Sequence, residues 1–355
     1  LSIIINFISF IYSETTFQIV EIKVVTLKNS SKIYSYTQLY ALILRLKISI
    51  IQCQKNSTVD ILQPLPFEKW SLIKKKAEHN WPYFAYYYYW IENAIVWKKR
   101  NPNISIQIYC PYGDDEQETF LGISNFSVYN VLIFTLHPNS DIINKVLTET
   151  KVIDYNQQVN FVTVHECFIS SVLTALENLK HLRNVETNLV LSFNYYFKPA
   201  EECIKTKTWI PNECYIKPLD KSNIPLIHSV WPHRDVENPE LSLKYLSTLV
   251  EFNGGIGLYL KEDDSLVSWC MQNDWHGLAI VQTVEEHRGK GYAKIVVNML
   301  SKKFAEQGIS TVLFIVKGNT TSENMFKKLG WKVVAPFVFI MLKRQVANPD
   351  SDIQN

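Results

Sequence analysis

The chain has 355 residues, of which 47% are hydrophobic, 13% aromatic and 20% charged, and its formal net charge is +2. This length and composition suit about two folded domains and exclude a disordered chain. The 36 basic and 34 acidic residues form no long block of one sign, which excludes the basic surface that binds a nucleic-acid backbone.

Membrane and metal partners are not predicted either. The apolar run at residues 1–12 has no basic residues before it and is shorter than the ~20 residues of a spanning helix, so neither a signal peptide nor a transmembrane helix is expected. The six cysteines form no CxxC pair, which predicts no disulfide framework and a reducing compartment. His165-Glu166-Cys167 lacks partners at metal-binding spacing, so we expect a structural role there.

The first half of the chain predicts helices followed by strands. Residues 1–60 show no clear period and are an extension of unknown order. Residues 61–205 predict helices at 67–79 and 86–97, strands near 104–109, 120–123 and 131–136, helices near 141–148 and 167–178, and a strand at 189–197. Tyr86, Trp90, Ala94 and Trp97 recur at the spacing of one buried helical face.

The second half, residues 206–345, repeats this order and precedes a flexible tail at 346–355. It predicts a strand at 214–218, helices at 224–230 and 239–250, and an antiparallel meander of strands at 256–261, 266–272 and 278–283. A helix ending at Gly308, a strand at 311–316, a helix at 321–329 and two strands divided by Pro336 follow. We therefore predict a duplicated α+β (α/β) fold, with a mixed, mostly antiparallel sheet flanked by helices in each half.

The segment with the clearest chemistry is TVEEHRGKGYA, residues 283–293, between a predicted strand and a predicted helix. Consecutive amides at a helix start attract phosphate, Gly289 and Gly291 let the main chain approach closely, and Arg288 and Lys290 add charge. The spacing excludes a Walker A loop and a dinucleotide fingerprint, because Gly291 follows Lys290 and Lys294 occupies the third glycine position. The loop therefore predicts a pyrophosphate site.

The loop matches Arg-x-x-Gly-x-Ala, and it resembles the acyl-CoA pyrophosphate loop of the GNAT acyltransferase superfamily. The block from Asn319 to Trp331 resembles that family's second motif. The resemblance implies a tandem GNAT-like fold, and acyl-CoA or acetyl-CoA as co-substrate without a metal. The coenzyme contacts that it implies are Val281, Thr283, Arg288, Gly289, Lys290, Gly291, Tyr292, Ala293, Asn319, Ser322 and Phe326.

Further segments resemble the glycine N-acyltransferase-like branch. These are Tyr215-Ile-Lys-Pro-Leu, Ser229-Val-Trp-Pro-His, Leu266-Val-Ser-Trp-Cys and Trp81-Pro82. The resemblance implies transfer of an acyl group to glycine or a related small amine, by direct attack in a ternary complex. By analogy 229–233 faces the acyl acceptor, although Trp231-Pro232 equally suits a packed helix end. The first half has no glycine-rich loop at 136–141, so we expect no coenzyme there.

Alternatives to this function stay open. One is an acetyltransferase for another amine, such as an arylalkylamine or a peptide, and another is an acyl-CoA-binding protein without catalysis. We expect a monomer or weak dimer in the cytoplasm, with the mitochondrion as the alternative location.

Two positions depart from the family pattern. Phe326 stands where a tyrosine often protonates the leaving thiolate, and Gly277 stands where a glutamate is the proposed base. His276 is the candidate base because its ordinary pKa lies near neutral pH, although on a strand its side chain would point to the opposite face. Glu285 and Glu286 are alternatives that we expect to be solvated turn residues.

Overall fold

A computed structural model describes residues 7–13, 16–22, 59–138 and 141–343. Within the first 59 residues, a compact unit of their own, strands β1 (Phe7–Ser13) and β2 (Thr16–Ile22) pair antiparallel. The predicted tail and the rest of the predicted extension lie outside the described residues. No helix among the described residues is long and apolar enough to cross a membrane.

The first half of the larger unit follows the predicted order, with two added strands and one added short helix, α5. The predicted face of its long aromatic helix is buried, since Tyr86, Trp90, Ala94 and Trp97 are at most 3% exposed. The added strands are β3, of three residues, and β7, of six residues. The elements are β3 (Leu62–Pro64), α1 (Trp70–Lys76), α2 (Ala85–Arg100), β4 (Ile106–Pro111), β5 (Thr119–Ser124), β6 (Asn130–Thr135), α3 (Ile142–Glu149), β7 (Asn160–His165), α4 (Glu166–Arg183), β8 (Thr187–Lys198) and α5 (Ala200–Cys203).

The second half also follows the predicted order. Its elements are β9 (Cys214–Pro218), α6 (Ile224–Val230), α7 (Pro239–Phe252), β10 (Gly255–Leu260), β11 (Leu266–Gln272), β12 (Leu278–Thr283), α8 (Tyr292–Ala305), β13 (Thr311–Val316), α9 (Thr320–Lys328) and β14 (Lys332–Leu342). The two final strands expected around Pro336 are one strand, which corrects the prediction. Pro336 pairs only with Asn194 of β8, and the ladder to β7 begins at Phe337. The missing N–H of the proline therefore breaks no ladder on the β7 side.

Two sheets organise the larger unit. One has four strands in the order β12-β11-β10-β9, and the other has eight in the order β13-β8-β14-β7-β6-β5-β4-β3. All pairs are antiparallel except β6 with β7. The predicted class, mixed and mostly antiparallel sheets flanked by helices, is confirmed. The division into domains at 205 and 206 stays a prediction, because the large sheet contains strands from both halves.

Strand β8 belongs to the first half in sequence but pairs with two strands of the second half, since it lies between β13 and β14. Its last residue, Lys198, is 5% exposed. The Lys198 ammonium donates to the Leu329 carbonyl at 2.8 Å and lies 4.7 Å from the centroid of the Trp331 ring. A buried cation is tolerated when hydrogen bonds and an aromatic face replace its hydration. This contact ties β8 to the end of α9.

Candidate functional site

The loop between β12 and α8 has a backbone that requires glycine. A 3-10 turn covers Glu285–His287, and α8 begins at Tyr292. Gly289 has φ +79° and Gly291 has φ +82°, both left-handed, where a side chain is strained. A Cβ at either glycine would meet nothing within 4 Å. The glycines thus serve the conformation of the loop, and the space above them is open.

The main-chain amides of this loop form a free row of donors. The turn uses the amides of His287 and Arg288, which donate to Val284 and Glu285 at 3.0 and 3.1 Å, and internal bonding resumes with Lys294 donating to Gly291 at 3.0 Å. Between them, the amides from 289 to 293 donate to no acceptor in the described part of the chain. Free N–H groups at a helix start bind anions.

Positive side chains surround these amides. Arg288 is exposed, and its Nε donates to the Thr283 carbonyl at 3.2 Å. The Lys290 ammonium lies 3.2 Å from Nδ1 of His287. The His287 ring stacks on Tyr292 with ring centroids 6.2 Å apart, so His287 packs within the loop. The loop thus combines free amides with two cationic side chains.

Strand β12 presents an open edge beside the loop. β12 borders the four-stranded sheet and β13 borders the eight-stranded sheet, and no backbone ladder joins them in the described residues. The β11–β12 register shifts, and Ile280 has φ +52° at this bulge. Ser268 Oγ donates to the Gln282 carbonyl at 2.9 Å and lies 2.9 Å from the Thr283 hydroxyl. Val281 and Thr283 lie on this strand and are half-buried. The outer edge of the strand can pair with a ligand.

The residues predicted on α9 differ in how they can contact a ligand. The Asn319 Oδ1 accepts from the Ser322 amide at 3.1 Å, so this oxygen caps α9 and its Nδ2 remains for other contacts. Phe326 is 5% exposed and meets Trp331 edge to face at 5.4 Å between centroids. Its side chain belongs to the core of the second half and offers only apolar packing. Tyr292 is likewise 5% exposed, so its contribution to the loop is its amide.

The candidate base His276 lies in a turn and not on a strand, which corrects the prediction. Asn273 forms this turn, since its Oδ1 accepts from the amides of Trp275 and Gly277, both at 3.2 Å. Its own amide donates to the Gly277 carbonyl at 3.1 Å. Asparagine closes such turns with its side chain. Strand β12 begins only after the turn, at Leu278, and His276 has φ +52°.

The environment of His276 does not favour proton transfer. Its Nδ1 lies 2.6 Å from the Gln272 side-chain amide, and with that amide donating, the ring proton is on Nε2. Burial lowers the pKa of His276 to about 4. The ring is therefore neutral at neutral pH and has no free acceptor nitrogen. Glu285 and Glu286 are exposed at the other end of β12, as expected of solvated turn residues.

The structure also reveals an acidic group that the sequence did not point to. The Asp274 Oδ1 accepts a hydrogen bond from the Tyr245 hydroxyl at 3.2 Å, and burial raises the pKa of Asp274 to about 6. The neighbouring Trp275 fills the position of a side chain at 277, because a Cβ there would lie 1.4 Å from a Trp275 ring carbon. Asn-Asp indicated only a turn, and Tyr245 lies 29 residues away in sequence.

Two family models match the chain. One is the FR47-like protein model at residues 255–340, which contains β12, the loop, α8 and α9. This match supports the GNAT superfamily for the second half. The other is a domain of unknown function (DUF5645) at residues 61–175, within the first half. The comparison with curated proteins gave no match.

Solved structures resemble this chain at low sequence identity. A Drosophila protein from a structural genomics consortium is 22% identical, with a TM-score of 0.73 over 81% of this chain and 100% of that one. The likeness shows the fold alone. A tandem GNAT protein from the clavulanic acid biosynthesis pathway is 9% identical, with a TM-score of 0.48 over 81% and 100% of the chains. A GCN5-related N-acetyltransferase-like protein from Streptococcus suis is 12% identical, with a TM-score of 0.42 over 78% and 99%.

Proposed function

We propose that this protein is an N-acyltransferase that moves an acyl group from acyl-CoA or acetyl-CoA to glycine or a related small amine. The row of free amides from 289 to 293, beside the open edge of β12, carries the proposal. A diphosphate is the anion that such a row fits, since several N–H groups and the positive end of α8 converge on it. The FR47-like match over the same residues supports this assignment.

Each predicted contact has a role in this proposal. The amides of 289–293 bind the diphosphate, and Arg288 and Lys290 supply charge. The arm of the coenzyme lies along β12 like an added strand and pairs with main-chain groups of Val281 and Thr283. The Asn319 Nδ2 and the Ser322 hydroxyl face the arm from α9, and Phe326 packs beneath them. The thioester then lies near the bulge at Ile280.

Acyl transfer in this site needs no covalent enzyme intermediate. The amine nitrogen attacks the thioester carbon in a ternary complex, the nitrogen–carbon bond forms, and the carbon–sulfur bond breaks. The site contributes by holding the two substrates together and by directing an unpaired N–H of β12 at the developing oxyanion. In this proposal the enzyme acts as a monomer or weak dimer in the cytoplasm, with the mitochondrion as the alternative, and no metal takes part.

Other functions fit the same loop. An acyl-CoA-binding protein without catalysis is favoured by Phe326, which is buried and has no proton for the thiolate. An acetyltransferase for an arylalkylamine or a peptide would share the coenzyme loop and differ in its acceptor residues.

Thiol release separates these functions. Acetyl-CoA, benzoyl-CoA and longer acyl-CoAs are each combined with glycine, other amino acids, arylalkylamines and peptides. We expect acceptor-dependent release of free coenzyme A with glycine or a small amine. Tight coenzyme binding without release for any pair would identify a binding protein. Failure of every acyl-CoA to bind would contradict the proposal.

A further inference from the structure

Asp274 lies at the end of β12 that is opposite to the phosphate loop. β12 covers Leu278–Thr283, and six extended residues span about 20 Å. The loop follows the last residue of the strand, and the turn that carries Asp274 precedes the first. A coenzyme that is anchored at the loop and runs along β12 therefore directs its acyl end toward this turn.

The turn is held rigidly by two helices. Asn273 is 3% exposed, and its carbonyl accepts from Nδ2 of Asn253, at the end of α7, at 2.6 Å. The same Nδ2 lies 3.0 Å from Oδ1 of Asn93 on α2. Trp97, also on α2, donates from its indole nitrogen to the Asn253 Oδ1 at 2.7 Å. A connected buried network of this kind fixes the turn in one geometry.

Aromatic side chains are bonded or adjacent to Asp274. Tyr245 donates to it and stacks on Trp231 with ring centroids 6.1 Å apart. Trp275 meets Phe314 of β13 edge to face at 5.2 Å, across the gap between the two sheets. Asp274 and Tyr245 are densely surrounded, yet both keep part of their surface accessible. Neither residue is therefore sealed in the core.

Within the described part of the chain, the carboxylate has no cationic partner. The titratable groups there that face Asp274 from neighbouring elements are the phenols of Tyr245 on α7 and Tyr86 on α2, and no basic side chain contributes. A partly accessible, desolvated carboxylate with only a phenol as partner attracts a cation, because a cation restores its lost solvation and can also interact with nearby aromatic rings.

We propose that Asp274 binds the ammonium group of the acyl acceptor and accepts its proton, and that Tyr245 is the positioning residue for this carboxylate. The proposal rests on the proposed acyltransferase function. An ammonium group gives one proton to Asp274, and its lone pair then forms the bond to the thioester carbon. The carbon–sulfur bond breaks with its electron pair on sulfur. The thiolate takes the second proton from nitrogen, so the products are an amide and free coenzyme A, while Asp274 returns its proton to water.

Burial supports this role because it raises the pKa of Asp274 to about 6. A proton acceptor works best when its pKa lies close to the working pH while the group is still largely ionised. At neutral pH Asp274 meets both conditions. Below its pKa the carboxyl is protonated and the activity should fall.

The test compares Asp274→Asn and Tyr245→Phe with a matched control, Asp263→Asn. Asp263 is an exposed turn carboxylate in the β10–β11 hairpin, where it accepts from the Ser265 amide. Thiol release is measured with acetyl-CoA and the most active acceptor of the panel, from about pH 5 to about pH 9, a range that spans the expected titration. Acetyl-CoA affinity is measured in parallel by calorimetry.

We expect Asp274→Asn to lower kcat/KM for the amine on the order of 100-fold or more and to remove the acidic limb near pH 6, with unchanged acetyl-CoA affinity. Tyr245→Phe should move that limb to higher pH, because the lost hydrogen bond had stabilised the ionised form. Asp263→Asn should match the wild type.

Three outcomes would contradict either the role of Asp274 or the acyltransferase function. An Asp274→Asn enzyme with the wild-type rate and acidic limb would remove the role of Asp274 and leave the acyltransferase function intact. If Asp274→Asn does not fold, an acidic limb that Tyr245→Phe leaves unmoved would have the same consequence. A wild-type protein that turns over no pair of substrates would remove the acyltransferase function itself, and the role of Asp274 with it.

Discussion

Each half of the molecule has a junction at which a strand leads into a helix, and the two junctions differ in whether the neighbouring strands are paired. In the first half, β6 and β7 are joined by a parallel ladder at Asn130 with Asn160 and Val131 with Phe161. The Asn160 Nδ2 reinforces it by donating to the Asn130 Oδ1 at 3.2 Å. In the second half, β12 and β13 belong to different sheets and no ladder joins them in the described residues. The neighbouring strands are therefore paired at the first junction and separate at the second.

The loops after β6 and β12 differ in the same way. After β6, the Leu136 amide donates to the Glu118 carbonyl at 3.1 Å, the His137 amide donates to the Thr135 hydroxyl at 3.0 Å, and Pro138 has no N–H. After β12, the amides from 289 to 293 have no acceptor within the residues described. A repeated order of elements therefore does not repeat a binding site. The left-handed glycines of the loop and the splayed strand pair distinguish the half that can hold an anion.

Removing the first half should give the largest effect. A chain of residues 206–355 lacks β8, which pairs with both β13 and β14, so two strands lose their common neighbour. We expect this fragment not to unfold cooperatively, and a fragment that starts at residue 186 to recover part of the structure. Circular dichroism during thermal unfolding checks this. A cooperative 206–355 fragment that binds acetyl-CoA would show that the second half is independent.

Changing the open loop should abolish coenzyme binding. Arg288→Glu combined with Gly291→Val introduces repulsion and a strained side chain, and acetyl-CoA affinity should fall on the order of 1000-fold, or about 4 kcal/mol. The matched control is Lys145→Glu, a charge reversal in the first turns of α3 in the other half, with no expected effect. Isothermal calorimetry measures both. Equal losses in the two variants would contradict the contrast between the loops.

Substitutions at two glycines test how tightly each half is packed. A Cβ at Gly122 of β5 would lie 2.3 Å from the Trp90 ring, whereas a Cβ at Gly289 meets nothing within 4 Å. Gly122→Ala should lower the free energy of unfolding by about 3 kcal/mol through overpacking, and Gly289→Ala by about 1 kcal/mol through its positive φ. Denaturant unfolding of the full chain measures both. A larger loss at Gly289 would contradict an open loop.

A buried histidine gives the first half a dependence on pH. Burial lowers the pKa of His165 to about 3 from its ordinary 6.5, so the unfolded state binds the proton more readily. The stability that the neutral ring contributes is complete above pH 6.5 and is lost as the pH falls toward 3. His165→Phe should remove this loss, which is about 2 kcal/mol at about pH 5. The free energy of unfolding of His165→Phe and of the wild type is measured at about pH 5 and above pH 6.5. A difference between the two proteins that is the same at both pH values would contradict the prediction.

The sequence predicted the elements well where periodicity and turn residues are strong. The buried face of α2 followed from residues at helical spacing, and the loop after β12 followed from its glycines. The insertion of β8 between β13 and β14 could not be predicted, since strand pairing is set by contacts distant in sequence. The predicted break of the last strand at Pro336 was wrong for the same reason. The effect of a proline on a strand depends on which edge of that strand has a partner.

The site was predictable in its local part and not in its distant part. The residues from 281 to 293 form one continuous segment, so their chemistry could be read directly from the sequence. Asp274 and Tyr245 meet only after folding, and neither has a motif around it. His276 was expected on a strand because nothing in the sequence shows that Asn273 closes a turn with its side chain.

Chemical shifts of the backbone amides during a titration with coenzyme A test the central claim most directly. With the protein labelled with ¹⁵N, we predict that the largest changes occur at the amides of Gly289, Lys290, Gly291, Tyr292 and Ala293, and that those of Leu136, His137 and Lys145 stay constant. Saturable changes confined to the junction after β6, or no saturable change at the loop after β12, would contradict it.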